Sequence, residues 1–197
     1  MSEVLLRSLI WTDFRVAVLF AVILPLILLV WAFVQQMEAI QRLMIIYWRV
    51  SSLLMITVYL LIGNLPISFI AALIARLLIP LGLWFWVDLN EEIDDQPANP
   101  FKLAFTSWRW CMTVYSLLGA VTQLFFLPCA LSNEKFTSAF CQAWRQPPLL
   151  YQQYFHAGYG EGLLGFAGIS GLVIYMLYLG YFVVVRLGRQ GRSAIQP

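Results

Sequence analysis

Five long apolar stretches constrain the fold of this chain more than any other feature. They are residues 16–34, 43–62, 65–87, 111–130 and 163–185. Each approaches the ~20 residues that a helix needs to cross a hydrocarbon core about 30 Å thick. Only 11% of the residues are charged, whereas about 25% are charged in soluble domains. The sequence therefore predicts an all-α, polytopic transmembrane helical bundle of about five spans, with residues 1–197 in a single membrane domain.

The segment Gly63-Asn64-Leu65-Pro66 separates the second and third stretches. Gly and Asn tolerate turn geometry, and the residue before a proline disfavours helix. An alternative division stays open, in which Val50 to Ala75 forms one long helix and Leu77 to Val87 is a re-entrant or interfacial piece. The choice between four and five spans depends on this turn.

An apolar stripe precedes the first span. Leu5, Leu6, Leu9, Ile10 and Phe14 share one side of a helix, opposite Glu3, Arg7, Ser8 and Asp13. This pattern is typical of a short helix lying in the membrane interface. The alternative is a terminus that simply leads into the first span.

The basic residues predict the orientation of the bundle. On one side are Arg7, Arg15, Lys135 and Arg145. On the other side are Arg42, Arg49, Lys102, Arg109, Arg186, Arg189 and Arg192. Cytoplasmic loops carry an excess of Lys and Arg, so the second side is predicted to be cytoplasmic, with a lumenal or periplasmic amino terminus and a cytoplasmic carboxyl terminus. An acidic loop, residues 88–107, then faces the cytoplasm, and the loop 131–162 faces outward.

Cys129 and Cys141 flank the start of this outer loop. A disulfide between them is a candidate in an oxidising compartment. Two unpaired thiols are the alternative, because the sequence does not show whether the Cα atoms come within the required ~7 Å.

Five of the ten carboxylates follow the aromatic end of the third span: Asp88, Glu91, Glu92, Asp94 and Asp95. All but Asp94 would share one face if the helix continued past the membrane. Such a surface could dock a basic partner, hold a divalent cation or remain solvated. The EF-hand pattern and the Glu-x-x-His pairs of di-iron sites are missing. The sequence therefore predicts no metal site, and Asp88, Glu91, Glu92 and Asp95 are only weak candidates for one.

Arg76 lies eleven residues from either end of its predicted span, roughly 16 Å at 1.5 Å per residue, which is farther than its side chain can snorkel. An ionisable group inside the membrane indicates a functional site. No acidic residue falls within any predicted span. The expected partners are helix-end carbonyls, Gln123, a lipid or pigment carbonyl, or an acid from another subunit. The alternative is a shifted boundary that puts Arg76 near the interface.

Two further features bear on packing and anchoring. Arg109 stands between Trp108 and Trp110, which is typical of a membrane-edge anchor in which the cation can lie over an aromatic face.

Glycines lead into the last span and continue through its first half, at positions Gly158, Gly160, Gly162, Gly165, Gly168 and Gly171. Small residues let helices approach closely in lipid, so close packing against a neighbour is predicted there.

The chain contains one histidine, His156. It could ligate a haem or chlorophyll near the outer membrane surface, or it could make an ordinary hydrogen bond. No motif supports chlorophyll or carotenoid, although either pigment stays open. No nucleophile and base stand in catalytic order, and the net charge of +2 is too small to indicate nucleic acid as a partner.

Residues 83–97, LWFWVDLNEEIDDQP, and residues 104–110, AFTSWRW, resemble a family of functionally uncharacterised integral membrane proteins of cyanobacteria. Residues 6–13 and 147–156 are similar as well, so the resemblance covers nearly the whole chain. It implies a thylakoid or plasma membrane setting among photosynthetic complexes, and it supplies no reaction and no catalytic residue.

The predicted function is that of an accessory or assembly factor of a larger membrane complex, such as a photosystem or another thylakoid complex. It would act through protein and lipid contacts. The predicted partner-binding residues are the five carboxylates and Arg76. The second hypothesis is a small transporter or channel that uses Arg76 for an anion. The third is a membrane enzyme with a carboxylate metal site.

Overall fold

The computed structural model describes residues 3–187, which are helical almost throughout and contain no strand. The helices, in chain order, are α1 (Glu3–Val34), α2 (Glu38–Ile62), α3 (Ile67–Trp84), α4 (Val87–Asp95), α5 (Pro100–Leu124), α6 (Pro128–Leu131), α7 (Asn133–Phe136), α8 (Ala139–Gln142), α9 (Gln146–Phe155) and α10 (Glu161–Tyr181). The prediction of an all-α helical bundle is confirmed. Arg189 and Arg192, which were used to predict the orientation, lie outside the described residues.

Helix α1 is one continuous element of 32 residues, so the amino-terminal stripe forms its first turns and is not a separate interfacial helix. A π-helical segment, Val18–Ile23, interrupts it. Pro25 has no N–H to donate to the carbonyl of Ala21, and that carbonyl instead accepts a hydrogen bond of 2.8 Å from the Tyr47 hydroxyl. Backbone groups freed in this way need partners inside a membrane, and here α2 supplies one.

The chain reverses direction between α2 and α3. Asn64 has φ 54, in the left-handed region that Asn tolerates, and Pro66 stands immediately before α3. Residues 50–75 therefore do not form the single long helix of the alternative division.

Helix α2 lies at the centre of the bundle and packs against α1, α3 and α10. At one end, Met44 and Tyr47 join Leu83, Leu89 and other residues in a large buried cluster. At the opposite end, Leu6, Ile10, Leu61 and Phe69 form a second cluster with the segment that follows α5. These two ends are called the inner and outer ends below, as labels that follow the predicted orientation.

Four helices are long and apolar enough to cross a membrane among the described residues: Glu3–Val34, Glu38–Ile62, Ile67–Trp84 and Glu161–Val185. They are compatible with an integral membrane protein. Helix α5 is as long as α2 but more polar, and it ends at Leu124, before the predicted boundary at residue 130. It buries Arg109, Thr113, Ser116 and Gln123 and exposes Val114, Leu118 and Val121. The prediction that it is a span stays a prediction, and its polar face turns inward as in membrane bundles.

Both long loops contain helices. The outer segment 131–162 contains α7, α8 and α9, and the acidic segment 88–107 contains most of α4 and the first two turns of α5. Trp86 is extended, with φ −84 and ψ 103, so α3 does not run on into α4. The acidic residues therefore belong to a separate helix that can take its own direction.

Candidate functional site

Arg76 forms a buried ion pair with Asp13. Its Nη2 lies 2.6 Å from Asp13 Oδ2, and the two side chains are only 9% and 25% exposed, respectively. The Tyr115 hydroxyl donates to Asp13 Oδ1 at 2.9 Å, and the Tyr115 ring centroid lies 5.4 Å from the guanidinium carbon of Arg76. Three helices thus contribute to one buried ion pair: α1 supplies Asp13, α3 supplies Arg76 and α5 supplies Tyr115.

The absence of a side chain at Gly119 makes room for this guanidinium. A Cβ at Gly119 would collide with Nη1 and Cζ of Arg76. Nη1 is buried and has no hydrogen-bond acceptor within the described part of the chain. The fit of α5 against α3, as well as the carboxylate, therefore holds Arg76 in place.

The prediction that Arg76 finds no acid in its own chain is wrong. Asp13 stands three residues before the predicted start of the first span, because the prediction begins that span where the charge-free stretch begins. Helix α1 is longer than that stretch and lies beside α3, so it carries Asp13 to the level of Arg76. Tyr115 was missed as well, although the polar character of the fourth stretch was the available signal.

Arg109 fixes the position of the acidic helix α4. Its guanidinium carbon lies 3.6 Å from the centroid of the Trp84 ring, and its Nη2 donates to Asn90 Oδ1 at 2.7 Å. Asn90 Nδ2 donates in turn to the Trp84 carbonyl at 3.2 Å, and Trp84 Nε1 donates to Thr113 Oγ1 at 2.8 Å. The expected cation and aromatic contact is present, but its ring is Trp84 and not a sequence neighbour of Arg109.

Helix α4 turns its apolar side toward the bundle and its carboxylates outward. Leu89 and Ile93 are 0% and 1% exposed. The exposed acidic residues are Glu91, Glu92, Asp94 and Asp95, and Asp88 is half-buried. Lys102 Nζ donates to the carbonyls of Asp94 and Gln96 at 2.7 and 2.6 Å. This cation stabilises the carboxyl end of the helix, which carries the partial negative charge of the helix dipole. The result is a fixed acidic face.

The weak metal candidates Asp88, Glu91, Glu92 and Asp95 do not come together as ligands. Within residues 3–187, no three side chains of His, Cys, Asp or Glu form a group that could hold a metal ion. The four carboxylates lie along a helix surface instead of converging on a point.

The outer segment is tied to the bundle by covalent and polar contacts. Cys129 and Cys141 form a disulfide with Cα atoms 5.8 Å apart. Arg145 donates from Nε to the Leu61 carbonyl at 3.0 Å and from Nη2 to the Ile62 carbonyl at 3.1 Å, where the last carbonyls of α2 lack helical partners. It also pairs with Glu161 at 2.7 Å. This role of Arg145 was not visible in the sequence, where it counted only as a positive charge.

His156 lies at the end of α9 against α2. Its Nε2 is 2.7 Å from the Tyr59 hydroxyl, and its ring contacts those of Tyr151 and Tyr159. Burial raises the pKa of the nearby Tyr151 phenol, and a hydrogen bond with Tyr59 raises it further. A ligand role for His156 would require the Tyr59 contact to break or His156 to bind through its other ring nitrogen.

Comparisons with known proteins add one finding. No curated protein matches the chain, and no solved structure matches it. A family model described as "Protein of unknown function (DUF3177)" matches residues 7–195. Because the match covers nearly the whole chain, the protein belongs to this family, DUF3177.

Proposed function

We propose that the protein is an accessory or assembly factor of a larger membrane complex, and that it docks a basic segment of that complex on the acidic face of α4. The observation that carries the proposal is the fixed outward display of Glu91, Glu92, Asp94 and Asp95. A fixed anionic surface can steer and orient a cationic partner, and binding then does not include the entropic cost of ordering that surface.

The buried residues of the region favour a docking role over catalysis. Leu89, Ile93, Asn90 and Arg109 attach α4 firmly to the inner end, whereas no three carboxylates of residues 3–187 converge into a group that could hold a metal ion. An unpaired Arg76 was part of the case for a partner subunit, and the anion-transport hypothesis also uses Arg76. The Asp13 pair supplies a carboxylate from the same chain, so Arg76 supports neither hypothesis, and the docking proposal rests on the acidic face alone. A setting among photosynthetic complexes in a thylakoid or plasma membrane is part of the proposal and rests on the family resemblance.

The proposed sidedness has a lumenal or periplasmic amino terminus and outer segment, with α4 in the cytoplasm. The disulfide between Cys129 and Cys141 supports it, since such bonds persist in oxidising compartments.

We expect Gly158→Cys and Glu92→Cys to label from opposite sides of the membrane. Gly158 has nothing within 4 Å of an added Cβ, and Glu92 is exposed on α4. Each substitution is made with Cys111→Ser, because Cys111 is an exposed free thiol. An impermeant maleimide applied to vesicles of known sidedness should reach Gly158→Cys from the lumenal or periplasmic side and Glu92→Cys from the cytoplasmic side. The reverse pattern, or labelling of both from one side, contradicts the orientation.

Neutralising the acidic face should release the partner. We expect Glu91→Gln/Glu92→Gln to lower recovery of the chain with the larger complex about 2- to 30-fold, because two partly screened charge contacts are lost. The measurement is affinity purification of the tagged chain in mild detergent, followed by native gel electrophoresis. Raising the salt concentration should release the wild-type chain in the same way, since surface charge pairs are screened.

Glu3→Gln/Glu134→Gln is the matched control. Both residues are exposed and lie at the outer end, so this variant should be recovered with the complex as the wild type is. The proposal is wrong if the wild-type chain migrates only as a monomer or homo-oligomer, or if both double variants lose the partner equally.

A further inference from the structure

A cavity of about 360 Å³ lies at the inner end between α2, α3 and the last part of α10. Ligand sites have volumes of about 300–1,000 Å³, so the space is sufficient for a chain-like ligand. Helices α3 and α10 both pack on α2, and nearer the outer end residues such as Leu60, Ala71 and Tyr175 bury one another. The cavity opens where this packing stops.

The wall of the cavity is mainly apolar. Leu78 and Leu81 of α3 line it, together with Phe85 just after that helix. Leu179 lines it from the carboxyl end of α10, and Phe182 lines it from the π-helical segment Phe182–Leu187 that follows. Leu81 is 59% exposed at the rim. This wall suits hydrocarbon and offers little to a small soluble anion, which would lose its hydration there without gaining enough hydrogen bonds.

Two arginines border the same cavity. Arg42 and Arg49 line it from α2, and they are seven residues apart, which places them on one face about 10 Å apart along the axis. Arg42 pairs with Glu38 at 3.1 Å, but both side chains are largely exposed, at 47% and 71%, and such pairs contribute little.

Arg49 has no carboxylate partner among the described residues, whereas Arg42 pairs with Glu38. The Nη1 atom of Arg49 donates at 3.3 Å to the Tyr178 hydroxyl. Arg49 lies six residues into the predicted span 43–62, roughly 9 Å from the end of that span, so its long side chain can snorkel toward the lipid headgroups.

We propose that this cavity binds a lipid with an anionic headgroup. Its acyl chain lies against Leu81, Leu179 and Phe182, and its headgroup lies between Arg42 and Arg49. Basic pockets between membrane helices on the cytoplasmic side recognise such headgroups. This inference does not depend on the docking role of α4.

The test uses the full-length chain purified in a neutral detergent. Phosphatidylglycerol, phosphatidylcholine and inorganic phosphate are titrated separately, and bound lipid is counted by native mass spectrometry alongside the thermal midpoint. We expect saturable binding of one phosphatidylglycerol with a rise in the midpoint. Phosphatidylcholine and inorganic phosphate should give neither effect at the same headgroup concentration.

The variant Arg42→Gln/Arg49→Gln should weaken phosphatidylglycerol binding about 10- to 30-fold. Arg7→Gln/Arg15→Gln carries the same loss of charge at exposed positions away from the cavity and should bind as the wild type does. Leu81→Trp, which fills the rim, should also weaken binding with both arginines intact. Equal binding of the two lipids, equal protection by phosphate, or unchanged binding in the arginine variant overturns the proposal.

Discussion

Arg76→Met is expected to be among the most destabilising single substitutions in this chain. It leaves Asp13 and the Tyr115 hydroxyl facing each other with no cation, and the Asp13 side chain is three-quarters buried. Removing one partner of a buried ion pair lowers the free energy of unfolding by about 3–5 kcal/mol. The measurement is denaturant unfolding in mixed micelles, followed by tryptophan fluorescence.

The double variant Asp13→Leu/Arg76→Met separates the charge effect from lost packing. Replacing both members of a buried pair by apolar residues of similar volume is often neutral, so the double variant should recover most of the stability that Arg76→Met loses. Asp13→Leu alone should be destabilised too, because it leaves Arg76 buried without its carboxylate. Arg7→Met, an exposed arginine on the same helix as Asp13, should unfold like the wild type. Additive losses in the double variant would contradict an interaction between the two side chains.

The helical fold could be predicted because apolar stretches and turn residues carry local information. The turn at Gly63 to Pro66 lies where Gly, Asn and Pro predict it, and Asn64 takes the left-handed conformation. The boundaries of the spans were less predictable. Helix α1 extends through charged residues before Val16, and one of them, Asp13, is compensated by Arg76 of α3.

The site contacts depend on tertiary structure and have no local signal. Asp13 and Arg76 are 63 residues apart, and Arg109 and Asn90 are 19 residues apart. The sequence identified Arg76 as a residue that needs a partner and Arg109 as a membrane-edge anchor beside aromatic rings. It could not identify Asp13, Asn90 or the ring of Trp84 as what compensates them, because that depends on the register of α1, α4 and α5 against α3.

The glycines of α10 and of the segment just before it illustrate both outcomes. Close packing against a neighbour was predicted, and Gly165, Gly168 and Gly171 do meet α2 or its end closely. Gly158, Gly160 and Gly162 have no atom within 4 Å of an added Cβ. Periodicity alone does not separate the two groups, since only the crossing point of the helices decides which glycines are in contact.

Gly165→Ala is expected to lower the free energy of unfolding by about 1–3 kcal/mol. A Cβ at Gly165 would lie 2.8 Å from the Gly63 Cα, and neither backbone can rotate away as a side chain could. Separating α10 from the end of α2 would also strain Arg145, which binds both the Leu61 carbonyl and Glu161. Gly63→Ala should have a similar effect, and the loss would be steric, because Gly63 has φ −68 and alanine tolerates that conformation.

Gly180→Ala is the matched control on the same helix, since its Cβ would meet nothing within 4 Å. Alanine favours a helix over glycine by about 1 kcal/mol, so this variant should be as stable as the wild type or more stable. The two substitutions in α10 are therefore expected to change stability in opposite directions, although their chemistry is identical. Unfolding in mixed micelles measures both changes, and equal stabilisation of Gly165→Ala and Gly180→Ala would show that α10 does not touch Gly63. At Gly165, helix propensity favours alanine and steric contact with Gly63 disfavours it. The sign of the change in the free energy of unfolding therefore shows whether the two backbones approach closely enough for the steric contact to dominate.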